Sequence, residues 1–266
     1  MSIKSKSYVL DHLKKLKIKK GDNLLIYSDL SRFGLQEANL PKLVLSCLKL
    51  TVGKHGSIVM PFYNLETKSN FVFNKNKFIH TNMISVLSKE FSKEKSIIRS
   101  NCLIHNHIGC GPNAKILNFS DEKMSIGKNT DFEFLKDFNF KLLMLACDPM
   151  LGATYLHHLE AILGVPYRKW ILLKRKKIYQ GVKKVVYIKY YAKRNKKFVS
   201  DFNSFFKKIR KYKSVLSEQK VKYGRSYLIS LKDLDRIGLK LLKKNKYSFV
   251  KKNKKNEKFL PLKSNL

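Results

Sequence analysis

The segment 152–168, GATYLHHLEAILGVPYR, spaces Thr154, His157 and Glu160 three residues apart. On a helix this spacing lines the three side chains along one edge and points His158 elsewhere. Thr154 is a suitable N-cap residue. A carboxylate within reach of one imidazole nitrogen fixes the tautomer and leaves the other nitrogen as a base. The positive end of the helix dipole opposes imidazole protonation, while the carboxylate pulls the other way. Such a pair suits deprotonation of an incoming amine. The same spacing also fits a capped helix carrying a hydrogen-bonded structural histidine. A metal site is the third reading, but the complete H-E-x-x-H set is missing. His105 and His107 are available as further ligands, yet on an extended segment they would face opposite sides. No metal is expected.

Two other stretches carry polar groups at turns. Tyr27-Ser28-Asp29-Leu30-Ser31-Arg32-Phe33-Gly34 follows a predicted strand and precedes a helix. Backbone N–H groups and hydroxyls in such a loop can hold a phosphate or a pantetheine amide. It is neither a Walker loop nor a G-x-G-x-x-G loop, which speaks against ATP hydrolysis and Rossmann-type dinucleotide binding. RSNCLIHNHIGCGPNA sets Arg99, Ser100, His105 and Asn106 ahead of a glycine turn. Residue type alone does not separate a binding loop from an ordinary polar one there. No G-x-S-x-G elbow or local cysteine signature supports covalent catalysis.

The elements that must position these residues alternate. Leu24 to Tyr27 reads as a strand, 40–53 as a helix ending at Gly53, and HGSIVMPFYN as a second strand. NMISVLSKEFSK reads as a helix, LLMLAC as the strongest buried strand, and TYLHHLEAILG as the helix after it. This strand–helix alternation is the beginning of an α/β arrangement. Further on, VKKVVYIKYYAK reads as a half-exposed strand, and FNSFFKKIRK and SLKDLDRIGLKLLKKN as helices. The last of these is basic and amphipathic, and packing on the body is expected rather than membrane binding. Residues 1–20 read as a short amphipathic helix packed on the body, 21–250 as one domain, and 251–266 as a loosely ordered basic tail.

Bulk properties narrow the classes. The 266 residues are 44% hydrophobic, enough for a substantial core. No apolar run approaches a bilayer span and no secretory signal is present, so a cytoplasmic protein without a membrane span is expected. Cys47, Cys102, Cys110 and Cys147 are widely spaced and read as reduced thiols. The formal charge is +37, and residues 168–255 hold most of the excess. Such a field attracts phosphates, nucleic acid or a nucleotide-bearing ligand. Much of it is compositional, because Lys, Asn and Ile are all abundant.

Taken in order, the motifs resemble those of the aminoglycoside 3-N-acetyltransferase family. GDNLLIYSDLSRFG is similar to that family's strand ending His-Ser-Ser-Leu-Ser-x-x-Gly, and GSIVMPFYN to its Gly-Thr-Leu-Val-Met-Pro-Thr. RSNCLIHNHIGCGPNAKIL resembles Arg-Ser-x-His-Pro-Thr-x-Ser…Gly-Pro-x-Ala, and SIGKNTDFEFL a Phe-Gly-x-x-Ser-Pro stretch. GATYLHHLEAILGVPYR is close to Asn-Thr-x-x-His-x-x-Glu…Val-Pro-Tyr-Arg, the most distinctive of them. The likeness covers roughly residues 8–250.

The resemblance implies a single-domain, three-layer α/β/α sandwich around a mixed sheet, transferring acetyl from acetyl-CoA to an amine. By the same resemblance His157 is the base, Glu160 orients it, and the amine attacks the thioester directly. Thr154 and the loop residues Ser28, Leu30, Ser31 and Gly34 would contact acetyl-CoA, while Arg99, His105 and Asn106 would contact the acceptor. Departures fall mainly outside the His-x-x-Glu pair: Tyr27 replaces a frequent His, Cys102-Leu103-Ile104 replaces His-Pro-Thr, Asn106 the Ser after it, and Thr130-Asp131 replaces Ser-Pro. Chemistry retained with an altered acceptor is the expectation. A +37 protein repels polycationic aminoglycosides at long range and attracts an amino sugar on a nucleotide diphosphate. The competing reading is a nucleic-acid-binding protein on an inactive scaffold. Nucleic acid is not the expected partner, because no recognised nucleic-acid-binding motif is present. Oligomeric state is not legible.

Overall fold

In the computed structural model of the chain, residues 3–65, 71–79, 81, 83–212 and 214–253 are described. Most of the predicted tail 251–266 lies outside these residues. The apolar run 23–28 becomes the middle strand of a seven-stranded mixed sheet, where both faces are covered. This strand, β1 (Asn23–Ser28), pairs in parallel with β2 (Ser57–Pro61) on one side and β6 (Lys141–Leu145) on the other. Beyond β2 lie β5 (His107–Cys110) and β4 (Ile98–Arg99), both antiparallel to their neighbours. Beyond β6 lie β11 (Gly224–Ser230) and β10 (Leu216–Val221), again antiparallel. Three short pieces are β3 (Val72–Phe73), β9 (Phe198–Ser200) and β12 (Val250–Lys252). The architecture is the α/β/α sandwich that the resemblance implied.

Period-2 alternation along β1 distributes the two cores. Leu24 and Ile26 face one layer, with α1 (Ile3–Lys15), α2 (Leu40–Val52) and α3 (Val86–Phe91) supplying Leu13, Leu43, Leu48 and Leu87. Leu25 and Tyr27 face the other. That layer contains α4 (Asp131–Asp137), α5 (Pro149–Gly152), α6 (Tyr155–Leu163), α7 (Phe202–Ile209) and α8 (Leu231–Lys244). Each fully buried Leu or Phe in these cores contributes about 1.5–3 kcal/mol. The basic helix α8 packs on the body as expected, burying Leu234, Ile237 and Leu242.

No strand was predicted in 168–179, where the structure forms β7 (Arg168–Tyr179) as one arm of a long hairpin with β8 (Val182–Lys193). Lysines and arginines mask its alternation, and only Leu173 and Arg168 are buried along the arm. The hairpin's inner face covers Leu103 and Ile104, so it closes over the 100–107 segment. No helix among the described residues is long and apolar enough to cross a membrane. All four cysteines are free thiols, three of them buried.

Gly111 sets how β5 leaves the sheet. Its φ is +101°, and a Cβ there would lie 2.4 Å from the Gly56 carbonyl oxygen. Gly111→Ala is therefore expected to destabilise the fold by about 2–3 kcal/mol, read by urea denaturation. An unchanged midpoint would contradict the packing at this turn.

Candidate active site

The parallel strands β1 and β6 deliver two polar segments to the same carboxyl end of the sheet. Tyr27 and Ser28 end β1, and the chain after β6 turns through α5 into α6, which begins at Tyr155. Asp148 caps α5 by accepting from the Met150 amide. Thr154 precedes α6 but makes no side-chain cap, contrary to the sequence expectation. Burial raises the pKa of the Tyr27 and Tyr63 phenols, and the Thr154 hydroxyl acts against that rise.

One turn along α6, His157 Nδ1 stands 2.6 Å from Glu160 Oε2. The imidazole is 24% exposed and the carboxylate 0%. Gly164, with φ +70°, ends α6 and reverses the chain. The reversal returns Tyr167 and Arg168 to the same carboxylate. Tyr167 donates its hydroxyl to Glu160 Oε1 at 2.8 Å, and Arg168 Nε forms a 2.7 Å ion pair with Oε2. Arg168 Nη1 donates to the Tyr191 carbonyl at 3.0 Å. Its Nη2 lies 2.9 Å from His157 Nδ1 and 3.5 Å from Nε2. Nδ1 cannot both donate to the carboxylate and accept from the guanidinium. The carboxylate contact is the shorter, so we place the Nδ1 proton on the Glu160 side and leave Nε2 deprotonated.

Burial lowers the His157 pKa and the Arg168 charge lowers it further; Glu160 pulls upward without reversing the shift. For Glu160, burial favours the neutral acid, but His157 and Arg168 outweigh it and hold the carboxyl below its ordinary range. His158 packs against Phe132 and Tyr155, away from this edge, with its pKa lowered to about 3 by burial.

The second polar segment departs from the sequence expectation. His105 and His107 do not face opposite sides; both rings pack edge-on against Tyr63, at 5.1 Å and 5.4 Å. The strand begins only at His107, and the irregular backbone before it breaks the alternation. His105 is neutral, its pKa lowered to about 3 by burial and then by His157 and His107. Its Nδ1 is buried without a hydrogen-bond partner among the described residues. His107 Nδ1 lies 2.7 Å from Asp131 Oδ2, a pair that the sequence did not suggest. Arg99 and Asn106 are buried and bound to each other, Nε to Oδ1 at 3.0 Å. The Arg99 guanidinium also donates to the Asn74 and Lys77 carbonyls and lies over Phe73.

The 28–34 loop follows Tyr27 at the end of β1. Ser28 Oγ contacts Ser85 at 3.3 Å, Leu30 is buried, and Ser31 donates to Asp29. Gly34 takes φ +71° beneath the Lys222 side chain, and Arg32 pairs with Asp29. Two cations, Arg32 and Lys222, thus flank the loop. Among the described residues no group of three His, Cys, Asp or Glu stands close enough to hold a metal ion.

The carboxylate-held imidazole thus lies near the carboxyl end of the central strands of a sheet covered on both faces. A sequence model described as aminoglycoside 3-N-acetyltransferase matches residues 25–243, and the chain belongs to that family of acetyl-CoA-dependent N-acetyltransferases. Among solved structures, the aminoglycoside acetyltransferase AAC(3)-IVa apoenzyme is similar at 21% identity and TM-score 0.74, covering 92% of this chain and 90% of that one. The YokD protein from Bacillus subtilis is similar at 22% identity and TM-score 0.78, covering 91% and 94%. AAC-IIIb, solved as a binary complex with CoASH, is similar at 15% identity and TM-score 0.77, covering 90% and 96%. At these identities the likeness shows the fold. No curated protein matches the sequence.

Glu160→Gln leaves the buried Arg168 guanidinium without its counter-charge, and unfolding free energy at neutral pH is expected to fall by about 3–5 kcal/mol. The folded pKa of Glu160 is depressed, so its contribution is complete above the unfolded carboxyl value and is lost as pH falls through the folded value. Acid titration of stability should therefore be shallower in the variant; parallel curves would contradict an ionised Glu160.

Proposed function

We propose that the protein is an N-acetyltransferase taking acetyl from acetyl-CoA, with His157 as the base for the acceptor amine. The observation that carries this reading is the buried Glu160 clamp on a partly exposed imidazole. Family membership supplies the reaction class, and the 2.6 Å contact supports the role proposed for His157. Acetyl-CoA brings the activated thioester. The chain's own residues hold a lone pair on His157 Nε2, accept a proton from the attacking amine there, and stabilise the imidazolium through Glu160. The 28–34 loop, through Ser28, Leu30, Ser31 and Gly34, is assigned to acetyl-CoA, with Arg32 and Lys222 placed to meet its phosphates. His105 is assigned to the acceptor, since its unpartnered Nδ1 can take a donor from a sugar hydroxyl or amine. Arg99 and Asn106 would act on the acceptor only through the segment they brace.

The acceptor we infer is an amino sugar that carries negative charge, such as one linked to a nucleotide diphosphate. Beside Glu160, the charges bearing on His157 are Arg168 and Lys193. Two carboxylates of the site are already engaged, Glu160 by Arg168 and Asp131 by His107 and Ser120. A polycation finds little to neutralise it here. Turnover on a nucleotide-linked amino sugar should exceed that on an aminoglycoside; a large preference for the drug would defeat this choice of acceptor.

Amine-dependent release of CoA tests the reaction itself. His157→Ala is expected to reduce kcat by about 10²–10⁴-fold with CoA binding retained. Because the imidazole pKa is lowered, the acid limb of kcat should fall below pH 6.5, the ordinary histidine value. Full activity in His157→Ala, or an acid limb above that value, would refute the assigned base.

A further inference from the structure

The β7–β8 hairpin has two faces, and only one of them covers the rest of the molecule. Its residues 168–193 hold ten Lys and Arg and no Asp or Glu. In antiparallel pairing, directly opposed residues share a face and successive residues alternate between faces. One face carries Leu173, Val186 and Ile188, which pack on Leu103 and Ile104. The other sets Trp170 opposite Tyr191, Leu172 opposite Lys189, Lys174 opposite Tyr187, and Lys176 opposite Val185. On this outward face Trp170, Leu172, Val185 and Tyr187 are 40–55% exposed. Lys174, Lys176 and Lys189 are exposed among them, and Lys183 continues the pattern toward the turn.

Two features separate this surface from a scatter of solvated lysines. Its cations lack counter-charges: Glu122 reaches the hairpin on the packed face, where it holds Lys177, and among the described residues Lys174, Lys176, Lys183 and Lys189 make no ion pair. Its apolar groups run into a groove of about 450 Å³ lined by Met124, Ile162, Trp170 and Leu172, with Lys128 and Lys189 beside them. Cations set between apolar side chains suit a boundary where charge meets hydrocarbon. Lysine lays its apolar stem along such a boundary and leaves its ammonium among anionic headgroups. Tryptophan and tyrosine favour the same depth.

The geometry points to the outward face of the β7–β8 hairpin, with the groove beside it, as a docking surface for an anionic phospholipid bilayer. Lysines meet the headgroups there, while Trp170, Leu172, Val185 and Tyr187 enter the shallow apolar boundary. Nucleic acid fits this face less well. The outward cations are lysines, point charges without the fork that grips a phosphate. Arg175 turns to the packed face with Val186, and Arg168 is taken by Glu160. Leu172 and Val185 gain nothing from phosphate or sugar. A β-ribbon that enters a DNA groove must stand free. This one is packed on one face and bonded along each edge, to β3 and to residues 123–125.

Trp170 is the single tryptophan of the sequence, so its fluorescence reports on this face alone. The full chain is titrated with phosphatidylcholine vesicles, with and without an equal part of phosphatidylglycerol. Binding to the anionic vesicles is expected, with Trp170 emission shifted to the blue and shielded from acrylamide, and little binding to the neutral ones. Each lysine near an anionic surface contributes about fivefold in affinity, so Lys174→Ala, Lys176→Ala and Lys183→Ala together should weaken binding about a hundredfold. Removing the same charge from exposed positions of α8, by Lys232→Ala, Lys240→Ala and Lys243→Ala, should cost far less. That comparison separates this face from the +37 charge as a whole. Leu172→Ser should cost about threefold to tenfold with every charge kept. Equal losses in the two triple variants, binding without a change in Trp170 emission, or unchanged affinity in Leu172→Ser would each overturn the proposal. So would a single-stranded oligonucleotide that binds through the same three lysines while the vesicles do not. The acetyl-transfer reading is tested separately by CoA release in solution, and neither result decides the other.

Discussion

The site depends on one buried negative charge. Glu160 is fully inaccessible, and an ionised carboxylate is stable there only because three partners share it. His157, Tyr167 and Arg168 arrive from a helix, a turn and the first residue of β7. Their convergence fixes the end of α6 against the hairpin and fixes the imidazole at the same time. Stability and chemistry are thus coupled: Arg168, which helps keep Glu160 ionised, also lowers the His157 pKa beyond the effect of burial.

The rest of the fold serves that convergence. The parallel pairing of β1 with β6 brings Tyr27 beside the loop that leads into α6. Antiparallel β5 then carries His107 to the same end from the opposite direction, and Gly111 sets where that strand leaves the sheet. The β7–β8 hairpin closes the remaining side, stacking Tyr190 on His105 at 5.9 Å and holding Arg168 through the Tyr191 carbonyl. A long basic hairpin over an acyl-transfer site raises the local positive potential, which favours anionic ligands.

What was legible in the sequence was what is local along the chain. The three-residue spacing of Thr154, His157 and Glu160 survives folding because a helix preserves it, and the apolar runs at 24–27 and 142–145 are recognisably sheet interior. Partners brought by a reversal or across strands were not legible. Tyr167 and Arg168 stand in the quoted motif, yet their role depends on the left-handed turn at Gly164. Asp131 is 24 residues from His107, and nothing in the spacing links them. Thr154 has the composition of a cap, yet its side chain caps no helix amide. β7 was missed because cross-strand register, pairing Leu172 with Lys189 and Lys174 with Tyr187, creates its faces rather than its own alternation.

We infer that Glu160 and Arg168 together hold His157 as a neutral imidazole with its lone pair on Nε2. A pH titration of the His157 ¹⁵N signals tests it without reference to any acceptor. The expected midpoint lies below 6.5, with Nδ1 carrying the proton above that midpoint. A midpoint above 6.5, or a neutral form protonated on Nε2, would contradict it and leave the site without its base.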